Sequence, residues 1–184
     1  MKSILMLLVF SPVFLFSQNN DFNDLNPRRN SVYLEFLGNS PTSFSLNYER
    51  ILTDSYNEYA SKLRKDHVAL RLGFGYFPVN DNWKDFAIPF ELLLVFGSKR
   101  HHFEMGLGAT SHFEVTTSKD YNGEMEVQTD FSVILFSRLG YRYTGPKGFM
   151  FRLGYTPMIY EFFDVHVIDH PFQLWGGVSM GYSF

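Results

Sequence analysis

Within the segment His67-Val-Ala-Leu-Arg-Leu-Gly-Phe-Gly-Tyr-Phe77, residues 68 to 76 alternate strictly between large apolar residues and small or charged ones. One parity is wholly apolar and holds Val68, Leu70, Leu72, Phe74 and Tyr76. The other parity holds Ala69, Arg71, Gly73 and Gly75. Because successive side chains of a strand point to opposite faces, a period of two residues is typical of a β-strand with two different faces. The segment therefore predicts a strand with one fully apolar face.

The same alternation continues along most of the chain from residue 31 to residue 184. It defines eight candidate strands, at 31–37, 43–50, 67–77, 86–96, 102–111, 131–143, 149–157 and 172–184. The apolar parity carries a charged residue only at Arg50, the last residue of the second candidate strand. The opposite parity carries four acids and four arginines, namely Glu35, Glu49, Arg71, Glu91, Glu104, Arg138, Arg142 and Arg152. Since closure removes exposed sheet edges, we predict an all-β fold, an eight-stranded antiparallel β-barrel with up-and-down meander topology.

Two kinds of barrel fit this pattern, and they differ in which parity faces outward. In a soluble, lipocalin-like lipid-binding barrel the apolar parity lines a cavity, whereas in a transmembrane barrel it contacts lipid. Eight of the 14 glycines share the polar parity, where a narrow interior needs small residues beside long ones. The cations there are all arginines, which tolerate burial beside carboxylates better than lysines do. Both features favour a transmembrane barrel with a matched Glu/Arg network inside.

Composition excludes several classes of protein. The 184 residues contain no cysteine, which rules out disulfides, thiolate metal sites, cysteine catalysis and a lipid-anchored amino-terminal cysteine. A net charge of −3 gives no basic footprint for nucleic acid. The mean hydropathy of −0.12 argues against a helical membrane protein, although 18% of the residues are aromatic. Strand parity reconciles these values, because aromatics occupy one face and polar residues the other.

The amino-terminal region is predicted to consist of a secretory signal peptide followed by a polar leader. Residues 1–17 read as a signal peptide, with Lys2 before an apolar stretch of 13 residues at 4–16. That stretch is shorter than the roughly 20 residues of a membrane-spanning helix. Residues 18–30 read as a polar leader, and residues 31–184 as the barrel. No motif indicates a cofactor.

The carboxy-terminal stretch Trp175-Gly-Gly-Val-Ser-Met-Gly-Tyr-Ser-Phe184 carries the most specific signal. Its apolar residues Val178, Met180, Tyr182 and Phe184 resemble the assembly signal of outer-membrane β-barrels. With the signal peptide and eight strands, the chain resembles the small OmpA/OmpX-like outer-membrane barrel families. The resemblance implies a place in the bacterial outer membrane, with membrane lipid and the barrel-assembly machinery as partners. It also implies an extracellular partner bound through the loops.

The resemblance further implies that both chain ends lie in the periplasm. Extracellular connections would then be 38–42, 78–85, 112–130 and 158–171, and periplasmic connections 51–66, 97–101 and 144–148. The 51–66 connection is long for a periplasmic turn, and 54–65 could form a short helix capped by Asp54. Its length leaves the orientation of this connection open.

Two groups of residues outside the network are candidates for a catalytic or a metal site, and three further residues are expected at the membrane surface. Ser111, His112 and Glu114 have the residue types of a hydrolase or acyltransferase acting on lipid A, but Ser111 and His112 would point to opposite faces of a strand. Asp164, His166, Asp169 and His170 could bind a divalent metal only if their segment were helical, whereas it reads as strand or loop. Trp83 is expected to anchor a loop at the lipid surface or to contact a partner, and His101 and His102 are expected at the interface.

The predicted function is therefore structural or interactive, with an interior plugged by the Glu/Arg network and no enzymatic activity. Two alternatives stay open from the sequence. One is a lipid-modifying outer-membrane enzyme of the lipid A deacylase or acyltransferase type, and the other is a soluble lipocalin-like lipid-binding barrel.

Overall fold

A computed structural model describes residues 28–40, 42–56, 65–80, 82–98, 100–119, 124–162 and 175–184. These residues form nine strands: β1 (Asn30–Leu37), β2 (Phe44–Tyr56), β3 (Lys65–Asn80), β4 (Trp83–Ser98), β5 (His101–Lys119), β6 (Met125–Thr144), β7 (Phe149–Tyr155), β8 (Met158–Phe162) and β9 (Gly176–Ser183). Within the described ranges, no helix has the length and apolar character needed to span a membrane.

The strands close into a ring. Each strand from β1 to β6 pairs antiparallel with the next one along the chain, β7 joins β6 to β9, and β9 pairs back onto β1. β7 and β8 pair with the same edge of β6, one after the other along its length. The nine strands therefore occupy eight positions around the ring, and β7 and β8 share one of them. The predicted eight-stranded antiparallel meander is confirmed, because β1 to β7 and β9 close into a ring. Among the described strands, β8 alone is paired on one side only.

The seventh position is divided at Pro157, whereas the sequence predicted one strand over 149–157. Proline has no N–H to donate and so interrupts a ladder of hydrogen bonds. The chain bridges the break through its other backbone groups. Thr156 N donates to Trp175 O at 2.7 Å, and Ser137 N donates to Pro157 O at 3.1 Å. Beyond the break β8 pairs with β6 alone, so this position reaches five residues past the predicted end.

The two parities of the sequence become the two faces of the wall. The charged parity faces inward, where Glu35, Arg71 and Glu91 are fully buried. The apolar parity faces outward, where Leu107 is 66% exposed and Phe184 is 54% exposed. The interior also contains buried apolar side chains, among them a small cluster formed by Ala69, Leu93 and Val95. The molecule thus reverses the usual distribution, in which charged residues are rarely buried fully.

We call the end with the β1–β2, β3–β4 and β5–β6 connections the upper end, and the opposite end the lower end. Two predicted upper connections are wrong in length. β3 ends at Asn80 and β4 begins at Trp83, so the connection is much shorter than the loop predicted at 78–85. β5 and β6 run on as a paired hairpin to Lys119 and Met125 rather than ending at 111 and 131. The alternation of apolar and polar residues is weaker in these extensions than in the rest of the strands. The two-residue period therefore did not predict them.

The predicted helix over 54–65 is wrong at both of its ends. Asp54 lies in β2 and pairs with His67, while Tyr56 pairs with Lys65 of β3. Cross-strand pairing has therefore overridden local helix propensity here. The rest of that segment, 57–64, lies outside the described residues, as do the signal peptide and most of the leader. Asn30, predicted as the last residue of the leader, is the first residue of β1.

The short connection between β1 and β2 folds back into the barrel. Leu37 and Gly38 both have positive φ, at 59° and 85°, which reverses the chain sharply. The connection then places Asn39, Ser40 and Thr42 in fully buried positions. Thr110 of β5 donates its hydroxyl to Asn39 O at 2.5 Å and fixes the connection against the opposite wall. The connection predicted as an extracellular loop, 38–42, therefore forms a lid over the interior.

Candidate functional site

The eight charged residues of the inward parity meet in two clusters along the barrel axis. The upper cluster contains Glu35, Arg71, Glu91 and Arg138, and the lower cluster contains Glu49, Glu104, Arg142 and Arg152. They come from all the strands between β1 and β7, and no side chain among them is more than 5% exposed. Strand closure brings them together, because side chains from opposite walls meet inside a narrow ring.

In the upper cluster each arginine binds both carboxylates. Arg71 pairs with Glu35 and, through Nη1 at 2.9 Å, with Glu91 Oε2. Arg138 pairs through Nη2 with Glu35 Oε1 at 2.6 Å and through Nε with Glu91 Oε1 at 3.0 Å. Two positive and two negative groups thus form a closed ring, in which each charge has two partners of opposite sign. Such matching is what offsets the cost of removing charges from water.

Amide side chains add hydrogen bonds to the upper cluster. Asn39, from the inward-folded connection, donates to Glu91 Oε2 at 2.5 Å and accepts from Arg138 Nη2 at 2.8 Å. Asn47 of β2 accepts from Arg71 Nε at 3.0 Å. The lid and the network therefore hold each other in place.

The lower cluster repeats the arrangement with the other four residues. Arg142 and Arg152 stand directly opposite each other on β6 and β7, a pairing of like charges that would be destabilising alone. Both contact the same two carboxylates. Arg142 Nη1 lies 2.6 Å from Glu49 Oε1, Arg152 Nη2 lies 2.7 Å from Glu104 Oε2, and Arg142 also pairs with Glu104. The carboxylates lie between the two guanidinium groups and offset their repulsion.

Tyr33 connects the two clusters, and the sequence reading did not single it out. Its ring lies between two guanidinium groups, with Arg152 Cζ 4.8 Å and Arg71 Cζ 5.4 Å from the ring centroid. Its hydroxyl contacts Arg152 and Glu49. Tyr33 lies on the inward parity of β1 between Ser31 and Glu35, so its parity alone could have revealed it. Asn39 had no comparable signal, because it lies in a connection.

Glycines leave the room that the network occupies. A Cβ atom on Gly106 would overlap Glu91 Oε1, and one on Gly154 would lie 2.7 Å from Arg138 Nη1. Both approaches are closer than van der Waals contact. Glycine at these two positions therefore leaves space for the ends of the Glu91 and Arg138 side chains.

Among the described residues, the weaker candidates for catalysis are not brought together on one face. Ser111 and His112 lie on opposite faces of β5, and the acid paired with His112 is Asp85, with 4.0 Å between Nε2 and Oδ1. The proposed metal ligands Asp164, His166, Asp169 and His170 lie outside the described residues. Within the described ranges, no three His, Asp or Glu residues are placed to hold a metal ion. Val178, Met180, Tyr182 and Phe184 share the outward face of the carboxy-terminal strand.

Two further sequence candidates lie at the ends of the barrel. Trp83 shares the inward parity of β4 at the upper end, where its indole N–H donates to Asp85 Oδ1 at 2.9 Å. Pairing with Thr116 places it on that face. At the lower end, His101 faces outward and its Nδ1 lies 2.6 Å from the Tyr141 hydroxyl.

Comparisons with known proteins add little sequence information. No protein-family model matches the chain, and no curated protein is similar to it at a significant level. Among solved structures, the chain is similar to the N-terminal β-barrel domain of Pseudomonas aeruginosa OprF, at 10% identity and a TM-score of 0.42, covering 85% of this chain and 96% of that one. It is also similar to Ail, the attachment invasion locus protein of Yersinia pestis, at 13% identity and a TM-score of 0.40, covering 85% and 98%.

Proposed function

We propose that this chain is an integral β-barrel protein of the bacterial outer membrane, with a closed interior and an upper end that serves as an interaction surface. The observation that carries the proposal is the reversed polarity of the wall. Arg71 and Glu91 are fully buried inside, while Leu107 and Leu153 are 66% and 55% exposed outside. Soluble monomers rarely expose continuous apolar patches larger than a few hundred Å².

The outward apolar face has the height of a membrane crossing. On β5 it runs from Phe103 to Phe113, and strand rise of about 3.4 Å with a tilt of about 40° gives a height of roughly 26 Å. Aromatic residues mark both margins. Phe113 and Phe131 pack at the upper margin with ring centroids 4.9 Å apart, and Tyr48 and Tyr182 lie at the lower margin. We call this outward face, between those margins, the apolar belt.

The soluble alternative needs the opposite arrangement. A lipocalin-like barrel requires an apolar interior to receive a ligand, whereas this interior contains the charged clusters and the lid. Its exterior would also have to be covered by polar residues, yet the outward face is the apolar belt. Both faces therefore favour the membrane barrel. The catalytic alternative loses the support of Ser111 and His112, because they lie on opposite faces of β5.

The first expected result concerns solubility and electrophoretic mobility. We expect the protein to need detergent to remain monodisperse, because the belt would otherwise associate between molecules. Folded protein in detergent should migrate differently on a gel before and after boiling, since the closed barrel resists unfolding by dodecyl sulfate. A monodisperse protein in detergent-free buffer would contradict the proposal.

The second expected result concerns conduction. Both clusters and the lid lie across the interior, so we expect no stable single-channel steps when the purified protein is inserted into planar bilayers. The control is the same preparation carrying Glu91→Gln or Arg138→Gln. Stable steps from the unaltered protein that disappear in these variants would show that the network conducts ions rather than closing the barrel.

A further inference from the structure

A pocket of about 470 Å³ lies at the upper end, above the charged clusters and outside the apolar belt. It is lined by Asn80, Asn82, Trp83, Glu114 and Thr116. Trp83 stands opposite Thr116 across the β4–β5 pair, so their side chains share the inward face of the extended wall. The recess is open to solvent and presents one aromatic side chain, Trp83, beside the polar side chains of Asn80, Asn82, Glu114 and Thr116.

Three carboxylates form a row beside this pocket. Asp85, Glu114 and Asp130 stand directly opposite one another on β4, β5 and β6, all on the inward face. Like charges in adjacent cross-strand positions destabilise a sheet. Burial raises the pKa of Glu114, and the charges of Asp85 and Asp130 raise it further. Lys84 lies on the opposite face of the wall, paired with Val115.

Two of the three carboxylates accept hydrogen bonds from neighbouring side chains. Asp85 accepts from the indole of Trp83, and Asp130 accepts from Gln128 Nε2 at 3.2 and 3.3 Å. Both donors are neutral, so they add no positive charge to the row. A recess lined by charge of one sign concentrates the field and attracts ions of the opposite sign.

A second observation is independent of the acidic row. His112 and Ser132 stand opposite each other one step deeper on the inward face, at 3% and 0% exposure. Within the described part of the chain, neither ring nitrogen of His112 nor the hydroxyl of Ser132 has a hydrogen-bond partner. The His112 ring edge points toward the row, with Nε2 4.0 Å from Asp85 Oδ1. Buried polar groups are usually hydrogen-bonded, so the ring nitrogens of His112 and the hydroxyl of Ser132 are free to bind a further polar group, either water or a ligand.

We propose that this pocket binds an organic ammonium ion. The carboxylates of Glu114 and Asp85 supply the opposite charge, the ring of Trp83 supplies a face for a cation–π contact, and His112 and Ser132 supply polar partners below. A bare divalent metal fits less well, because no three His, Asp or Glu residues within the described ranges are placed to coordinate one. The inference goes beyond the proposed function, and it needs the closed barrel but not its place in a membrane.

The test uses detergent-folded full-length protein and spermidine as the probe. Isothermal titration calorimetry should detect saturable binding at one site. In a Trp175→Phe background, Trp83 is the only tryptophan, and its emission should change with the same Kd. Glu114→Gln and Asp85→Asn should each weaken binding about ten-fold or more, the effect of losing one charge-assisted contact. In the Asp85→Asn variant the amide oxygen would still accept the Trp83 indole N–H, so that change removes only charge.

The matched control is Glu124→Gln, which removes one negative charge at the same end but outside the pocket. It should leave the Kd unchanged, and heat-modifiable gel mobility verifies that each variant is folded. The proposal is overturned if spermidine does not bind, or if Glu124→Gln weakens binding as much as Glu114→Gln. Tighter binding of magnesium ions or of maltose than of spermidine would overturn it in favour of a metal or carbohydrate site.

Discussion

Replacing Arg71 by methionine will lower the free energy of unfolding by about 3–5 kcal/mol, the cost of leaving a buried ion pair with one partner missing. Arg71 contacts Glu35 and Glu91 and also donates to Asn47. Without it, two buried carboxylates share a single guanidinium, that of Arg138. Methionine fills much of the volume, so the loss reports on charge more than on packing.

Urea unfolding in lipid vesicles, followed by tryptophan emission, measures this effect. The matched control is Arg50→Met, which removes the same charge from an exposed position on β2. We expect a change of less than about 1 kcal/mol there, as for other exposed charges. Equal losses at Arg71 and Arg50 would mean that the upper cluster does not stabilise the barrel.

A double replacement separates charge balance from lost contacts. Glu35→Gln combined with Arg71→Met restores neutrality and leaves Arg138 paired with Glu91 at 3.0 Å. We expect the double variant to lose less stability than the sum of the two single variants, since neighbours in one network couple. A loss equal to the sum would contradict a shared network.

Replacing Leu107 by arginine will lower the stability in lipid vesicles by about 2–4 kcal/mol, because the charge would face the middle of the bilayer. Leu107 is 66% exposed and lies between Leu92 and Ser137 near mid-strand. In a water-exposed barrel the same change would be nearly neutral, because an exposed leucine contributes little packing. The position therefore separates a lipid-facing belt from a solvent-facing one.

Val127→Arg provides the control. Val127 has the same outward parity on β6 and is 63% exposed, but it lies in the hairpin extension above the aromatic margin. We expect a change of about 0–1 kcal/mol there, as at the bilayer interface. Urea titrations of the two variants in parallel give the comparison. Equal effects at residues 107 and 127 would mean that the belt does not contact lipid.

Much of the fold could be predicted from the sequence because successive residues of a strand alternate between its two faces. Val68 to Tyr76 revealed an apolar face and Arg71 a polar one, and closure followed from the number of strands. The ends of the strands were harder to predict from the sequence than the strands themselves. The hairpin beyond Ser111 alternates weakly, and Pro157 divides a strand whose pattern continues past it, because backbone hydrogen bonding leaves no trace in side-chain hydropathy.

Only some of the partners within the interior could be read from neighbouring strands, as for Arg71 and Glu91. Arg71 stands opposite both Glu49 and Glu91 in the sheet register, which would suggest a pair with each. The structure instead pairs Glu49 with Arg142 and Arg152, which come from the other side of the ring. Long side chains in a narrow barrel cross its axis, so their contacts depend on strand tilt and closure rather than on the nearest strand.

The sequence by itself determined which residues face inward and that their charges balance, because parity and composition are local properties. Only the tertiary structure decided how those charges group, with Tyr33 between two arginines and Asn39 brought in by a folded connection. It also placed Trp83 and Glu114 beside one pocket, although the sequence assigned them to separate loops. Trp83 and Glu114 come together because the strand pairing continues beyond the apolar belt. The charged clusters form because closure of the barrel brings side chains from distant strands together around its axis.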